Sequence, residues 1–387
     1  MADALDYYDL DATVGADEQQ VRDVVRRFVK DRILPRVGDL WQAGEFPRDV
    51  ISEMAELGLY GPTLPEQYGG AGLSGTAYGL MMRELEYGDS GLRSFASVQS
   101  GLSMYAIYRW GSEDQRRAYL PRMAAGEVIG CFGLTEPDAG SDPASLQTRA
   151  RKTERGYVLH GTKRWITNGS LAHIAIVWAK DDDDVIRGFI VPTNTPGFSA
   201  RDIKTKASMR MSVTSELFLD GVEVGEDQRL PEARGLSGPL SCLTQARYGI
   251  AWGTVGAAAA CLEEALSYTG SRITFGRPIA KTQLVQERLV DMTSEVARMA
   301  LAAFRLGQLY GSGTLRHQQV SLAKRDNARG ALKVARMARE LLGGNGITTD
   351  YGPMRHAANL ETVDTYEGTY EVHTLIVGRD ITGEDAF

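Results

Sequence analysis

Tyr157-Val158-Leu159-His160, Ile174-Ala175-Ile176-Val177-Trp178, Phe189-Ile190-Val191 and Glu216-Leu217-Phe218-Leu219 decide the fold. Each is a short alternating or continuous apolar run. Turn signals separate them: Glu154-Arg155-Gly156, the run Asp181–Asp184, and Asn194-Thr195-Pro196-Gly197. Short strands with tight connections and no long helical pattern between them predict an antiparallel β-domain, built as a sandwich or barrel. The four-aspartate run reads as a solvated hairpin tip. A metal loop would place ligands at alternating positions around a glycine turn.

Outward from this segment, both flanks are helical. Upstream, Val21, Val24, Val25, Phe28 and Ile33 recur at threes and fours behind Asp17, the expected cap, until Pro35. A Gly/Pro-rich loop covers 58–75, and residues 76–88 and 94–109 read as helices. Ser112 with Gln115 forms a capping box that opens a helix to about Ala125. Downstream, 239–269, 282–311 and 315–342 carry helical apolar spacing, and a shorter helix is expected from about Gly368 to Ile381. Together these suggest a bundle. The order is helical, β, helical, with domains expected at 1–127, 128–237 and 238–387. The class is α+β.

The 387 residues include 43 Lys+Arg against 50 Asp+Glu, a net charge of −7, with 43% hydrophobic and 24% charged residues. That is the mix of an ordinary globular protein, long enough to bury a large core unaided. It is too acidic for a protein whose main partner is a nucleic-acid backbone. No apolar run approaches the ~18 residues of a membrane span. The acidic stretch Met1–Gln20 lacks a signal pattern. Cys131, Cys242 and Cys261 fit neither a disulfide frame nor a CxxC metal site. A bacterial cytoplasm is the expected location, and a processed mitochondrial-matrix chain would read the same way.

Some motifs fail on context. Gly70-Ala71-Gly72-Leu73-Ser74-Gly75 matches GxGxxG, but no strand precedes it, as a dinucleotide fold requires. The Walker pattern, HExxH and GxSxG are absent, and the five histidines show no ligand spacing, so no metal is expected. Lys324, Arg325, Arg329, Lys333, Arg336 and Arg339 form a basic stripe at helical spacing, read as a solvated or subunit-facing helix surface.

Four segments hold. They are Cys131-Phe132-Gly133-Leu134-Thr135-Glu136-Pro137-Asp138-Ala139-Gly140-Ser141-Asp142-Pro143, Lys163-Arg164-Trp165-Ile166-Thr167-Asn168-Gly169, Arg272-Ile273-Thr274-Phe275-Gly276-Arg277-Pro278-Ile279 with Gln283, and the stretch from Leu342-Gly343-Gly344-Asn345-Gly346 to Asp364-Thr365-Tyr366-Glu367-Gly368-Thr369. On these segments the chain resembles the acyl-CoA dehydrogenase family over nearly its whole length. The resemblance implies an N-terminal α-helical domain, a middle β-domain, a C-terminal four-helix bundle and an FAD cofactor.

The small residues of 132–141 allow backbone N–H groups to approach a ring and a phosphate, and a flavin needs donors near N1, O2 and N5. By resemblance, the flavin site takes Phe132, Leu134, Thr135, Gly140, Ser141, Trp165, Ile166, Thr167 and Thr369. By the same resemblance, Arg272 would offer a fork for the pyrophosphate, and Phe275 could stack near the adenine. Arg272, Gln283 and Gly343-Gly344 would reach a neighbouring subunit's FAD, which implies a homotetramer built as a dimer of dimers. Gly343-Gly344 also reads as a helix C-cap. Electrons would leave for an electron-transfer flavoprotein.

Glu367 is the expected catalytic base. Oxidation of a thioester between Cα and Cβ needs a base for a weakly acidic α-proton, and a carboxylate in an apolar pocket is a stronger base than one in water. An isolated glutamate at a helix start would read as a cap; its setting in Thr365–Thr369 favours the catalytic role.

The chain resembles the glutaryl-CoA dehydrogenases in particular, through Arg93-Ser94 with Ser97-Val98-Gln99-Ser100, Arg355–Glu361 and Tyr366–Thr369. A free carboxylate at the end of the acyl chain needs a guanidinium partner in an apolar pocket. Arg93 is that candidate, with Ser94 and Ser97 beside it. Glu86, seven residues earlier, falls on the same face if the helix continues. Glu86 and Tyr366 match the decarboxylating pattern, which implies conversion of glutaryl-CoA to crotonyl-CoA and CO2. Ser141, Arg247 and Gly368 complete the implied substrate contacts. Competing readings are a non-decarboxylating enzyme, a dehydrogenase of another dicarboxylic, short-chain or carrier-protein-bound thioester, a flavin oxidase, and a degenerate flavin fold with a binding role.

Overall fold

The computed structural model describes residues 3–386. Its N-terminal part is helical: α1 (Ala16–Phe28), α2 (Val37–Ala43), α3 (Val50–Glu56), α4 (Gly75–Gly88), α5 (Ser90–Ser97), α6 (Tyr105–Trp110) and α7 (Glu113–Ala124). Two π-helical segments, Val29–Ile33 and Val98–Met104, extend α1 and join α5 to α6. The cap of α1 is Gly15, not Asp17: the Glu18 carboxylate accepts the Gly15 N–H at 3.1 Å. The Ser112–Gln115 capping box is present.

Helix α5 begins four residues before the expected start at 94, because Asp89 turns extended and its carboxylate caps the Gly91 N–H at 2.7 Å. That break means Glu86 and Arg93 do not share one continuous helix face. They meet across the corner between α4 and α5. The loop at 70–75 leads into α4 with Ser74 as its cap, and no strand precedes it.

Seven strands form the middle sheet: β1 (Gly130–Gly133), β2 (Arg149–Thr153), β3 (Gly156–Thr167), β4 (Ile174–Lys180), β5 (Ile186–Pro192), β6 (Phe198–Asp202) and β7 (Thr214–Gly225). Their order is β1-β4-β2-β3-β7-β6, with β5 on β4. The pairing is mainly antiparallel. The expectation of a purely antiparallel domain is corrected at β4, which runs parallel to β1 along four residue pairs and to β2 at Arg149–Lys180. Sequence runs alone cannot give strand direction.

The unbroken Ile174–Trp178 run has a simple cause. Ile174, Ile176 and Trp178 join the helical core, while Ala175 and Val177 pack with Cys131, Val191, Leu217 and Leu219 on the other face. A strand covered on both faces loses its polar alternation. The aspartate run forms a hairpin tip, with Asp181 Oδ1 accepting the Asp183 and Val185 N–H groups at 3.1 and 2.9 Å.

The C-terminal part contains α8 (Ser237–Ser271), the hairpin β8 (Ile273–Thr274) and β9 (Arg277–Pro278), then α9 (Gln283–Gly311), α10 (His317–Leu341), α11 (Gly352–Thr365) and α12 (Tyr370–Thr382). Helix α10 packs against the other four, and α4 crosses α8. The α4–α8 approach is close enough that a Cβ at Gly256 would lie 1.9 Å from the Arg83 carbonyl oxygen. Helix α11 was not expected. The last helix starts at Tyr370 with Thr369 as its cap, so Glu367 lies in the connection before it, not at the helix start. Among the described residues no helix is long and apolar enough to cross a membrane.

Candidate active site

The chain reverses between α11 and α12, and Glu367 sits in that turn with φ +52°. The Tyr366 N–H closes α11 on the Thr362 carbonyl at 2.8 Å, and Thr369 Oγ1 opens α12 by accepting the Val372 N–H at 3.3 Å. Two cations fix the turn. Arg247 Nε donates to the Glu367 carbonyl at 2.7 Å, and Lys324 Nζ donates to the Gly368 and Asp364 carbonyls at 2.8 and 3.2 Å. Gly368 has φ +100°, and a Cβ there would lie 2.7 Å from His373 Nε2, so this position requires glycine.

Glu367 Oε2 is sealed from solvent and has no hydrogen-bond partner. Burial pushes the carboxyl above its ordinary range, against the pull of Arg93, Arg247 and Lys324. Burial also lowers Arg247, with Glu367 opposing. Raised by burial in this way, the carboxylate holds a proton more strongly than a solvated glutamate does.

Arg93 and Glu86 are both fully buried. Arg93 Nε donates to Glu86 Oε2 at 2.7 Å, and Nη2 donates to the Tyr366 hydroxyl. Burial alone would lower Arg93, but Glu86 and Tyr366 outweigh it and hold the guanidinium charged. Burial pushes the Tyr366 hydroxyl upward, so it stays protonated. Glu86 has room because it faces Gly253, where a Cβ would lie 2.1 Å from Oε2. Among the described residues, Arg93 Nη1, Glu86 Oε1 and Ser97 Oγ have no partner. Ser94 is buried beside them. Spare donors on a buried guanidinium are free to take a ligand oxygen.

A second surface lies at the end of β1. The Arg164 N–H donates to the Thr135 carbonyl at 2.8 Å, which joins the 132–141 loop to β3. The β3–β7 register slips between Lys163 and Ile166, and Trp165 takes φ +64°. The bulge turns the indole outward, 53% exposed, with the Arg164 guanidinium 5.1 Å above it. Thr135 and Thr167 are half-buried, and Gly140 and Ser141 are exposed. Nothing stands within 4 Å of a Cβ built at Gly140. Phe132, Leu134 and Ile166 point their side chains into the core, leaving only their backbones for a ligand. Beneath the loop, buried Lys163 donates to Glu136 Oε1 at 2.8 Å and the Leu134 carbonyl at 3.2 Å.

The remaining expected residues lie elsewhere. Arg272 ends α8, Phe275 is 98% exposed at the β8–β9 tip, and Gln283 begins α9. Gly343 and Gly344 are exposed after α10, and neighbouring Asn345 bonds the Tyr268 hydroxyl at 3.1 Å. Sequence reading missed Lys324 and His373. Lys324 is completely buried rather than on a solvated stripe. Its spacing from buried Val320 and Ala328 is the signal that marks it as inward.

The chain matches three family models: acyl-CoA dehydrogenase N-terminal domain over residues 15–127, middle domain over 131–222 and C-terminal domain over 233–382. It is 35% identical to an acyl-CoA dehydrogenase of Bacillus subtilis, covering 96% of this chain and 99% of that one. Among solved structures, a glutaryl-CoA dehydrogenase from Mycobacterium smegmatis is 52% identical with a TM-score of 0.97 over all of both chains. A structure of a glutaryl-CoA dehydrogenase from that organism in complex with FADH2 is 50% identical with a TM-score of 0.98, again over all of both chains. With its three-domain order and these matches, the chain belongs to the acyl-CoA dehydrogenase family.

Proposed function

We propose that the protein binds FAD and uses it to dehydrogenate and decarboxylate glutaryl-CoA, yielding crotonyl-CoA and CO2. The observation that carries this reading is the fully buried Arg93 with Nη1 unpartnered, tied to Glu86 and Tyr366 and one residue from Glu367 through Tyr366. An acyl chain ending in a carboxylate answers that vacant donor. A plain fatty acyl chain would leave a charge unmatched at considerable cost.

The Thr135–Ser141 loop, Thr167 and the outward Trp165 ring fit a flavin, since they offer hydroxyls, open backbone and an aromatic face together. When bound, FAD supplies the acceptor for the hydride equivalent leaving Cβ. Glu367 takes the α-proton. Arg93 holds the distal carboxylate while the Cα–Cβ double bond forms. With that bond in place, CO2 leaves from Cγ and the charge delocalises into the thioester. Protonated Glu367 then returns its proton at Cγ, so the base is regenerated. The Glu367 N–H would serve as a donor to the thioester oxygen, in a turn held by Arg247 and Lys324.

The exposure of Arg272, Phe275, Gln283, Gly343 and Gly344 supports a cofactor site completed by a second copy, in a homotetramer. An electron-transfer flavoprotein is the proposed acceptor of the electrons. The test is incubation of the yellow protein with glutaryl-CoA and an artificial electron acceptor, with product masses read directly. Crotonyl-CoA with CO2 is expected. Glutaconyl-CoA alone overturns the decarboxylation, and bleaching only by another thioester overturns the substrate.

A further inference from the structure

Of the basic stripe on α10, Arg329, Lys333 and Arg336 are exposed, whereas Lys324 has no exposed surface. A lone buried ammonium is very unfavourable unless its three N–H donors are used. Two of them go to the carbonyls of Asp364 and Gly368, which bracket Glu367 in sequence. The same nitrogen lies 6.0 Å from the centre of the Tyr366 ring. No carboxylate oxygen pairs directly with it, so it is placed to hold backbone.

We propose that Lys324 is a positioning residue for Glu367, clamping both ends of the turn that carries it and keeping a positive charge beside its carboxylate. This rests on the reading of Glu367 as the base. The turn needs such a clamp. Glu367 has φ +52°, a left-handed conformation that costs a non-glycine residue free energy unless its surroundings hold it, while Gly368 takes its φ of +100° freely. Arg247 holds the Glu367 carbonyl itself, so Arg247 and Lys324 grip successive peptide units.

The charged and titratable groups around this point come from every packed element: Tyr78 and Glu86 on α4, Arg93 on α5, Arg247 on α8, Asp364 and Tyr366 at the end of α11, and His373 on α12. His373 is held neutral, so it adds no charge near pH 7. Burial lowers the Lys324 ammonium to about 7, with Asp364 and Glu367 opposing. Its charge therefore assists ionisation of Glu367 below about pH 7 and fades above it. The direction is fixed: removing the cation raises the pKa of Glu367, so on acidification the carboxylate is protonated earlier and the loss falls on the acid side.

Two variants separate clamp from charge. Lys324→Gln keeps N–H donors and removes the charge, and Lys324→Met removes both. The rate of flavin bleaching by glutaryl-CoA is followed in the holoenzyme at pH 6 and pH 8.5. Amide hydrogen exchange of residues 364–369 is measured alongside. Lys324→Gln is expected to react within about twofold of wild type at pH 8.5 and to be slower at pH 6 by up to about tenfold, the limit set by moving the acid limb roughly one unit to higher pH. Lys324→Met is expected to be about tenfold to a hundredfold slower at both values, with faster exchange in the turn. Where Lys324→Met fails to fold, Lys324→Gln carries the test alone. Rates and exchange matching wild type, or a loss in Lys324→Gln that is equal at both pH values, overturn the proposal. Glu367→Gln is run in parallel. If it still bleaches at the wild-type rate, the base assignment fails and this proposal fails with it. If it is inactive while Lys324→Gln keeps the wild-type profile, only the role of Lys324 fails.

Discussion

Removing Arg93 leaves Glu86 as a fully buried carboxylate without its cation. Arg93→Met is therefore expected to lose about 3–5 kcal/mol of stability, and Glu86→Gln in the same chain should restore most of it, as read by urea denaturation. Function separates from stability in that double variant. Its KM for glutaryl-CoA should rise at least about a hundredfold, because two charge-assisted hydrogen bonds at about 1.5–3 kcal/mol each are lost, while oxidation of butyryl-CoA should survive. Glu367→Gln should slow flavin reduction by about 10²–10⁴-fold with an unchanged flavin spectrum, measured by stopped flow. At this scale Glu367 was legible because its neighbours form a recognisable turn sequence. Lys324 was not, because a basic residue between other basic residues reads as surface. Only its spacing from Val320 and Ala328 betrays the buried side.

Helix α12 carries an acid sensitivity of its own. His373 is buried with neither ring nitrogen partnered, and burial, with Lys324 and Arg247 nearby, lowers it to about 3. The unfolded chain takes up this proton near pH 6.5 and the folded one does not. Stability is therefore expected to fall as pH drops from about 6.5 toward 3, by at most ~1.4 kcal/mol per pH unit from this group. Denaturation midpoints of wild type and His373→Gln between pH 4 and 7 check it: the variant should show the shallower slope. Element types were readable from periodicity, and the long helices α8, α9 and α10 lie where spacing put them. Less readable were the ends. The corner at Asp89 and the outward Trp165 bulge depend on capping and register, which tertiary contacts decide.

Across the whole molecule, one polar knot ties the three domains. Asn359 on α11 donates to Asp89 Oδ2 at 2.8 Å and accepts from the Met209 N–H and from Trp41 Nε1, each at 2.9 Å, while Arg355 also reaches Asp89 Oδ2 at 2.7 Å. Asn359→Leu should cost about 3 kcal/mol or more, since it strands polar groups of the other two domains, Asp89 and Trp41 in the first and the Met209 N–H in the middle one. Unfolding followed separately by tryptophan fluorescence and circular dichroism should then lose its coincidence. The domain order was legible in the alternation of periodicities, whereas this knot was not, because its members lie far apart in the chain. The same distance shapes how the site comes into being. Arg93 and Tyr366 are 273 residues apart. A ribosome adding about 5–20 residues per second delivers Tyr366 roughly 15–55 s after Arg93. For that interval the nascent chain carries a guanidinium meant for burial with only Glu86 beside it, and neither the turn nor its glutamate exists. The proposed active site is thus among the last things the growing chain can assemble, and a chain released early would lack the glutamate assigned as its base.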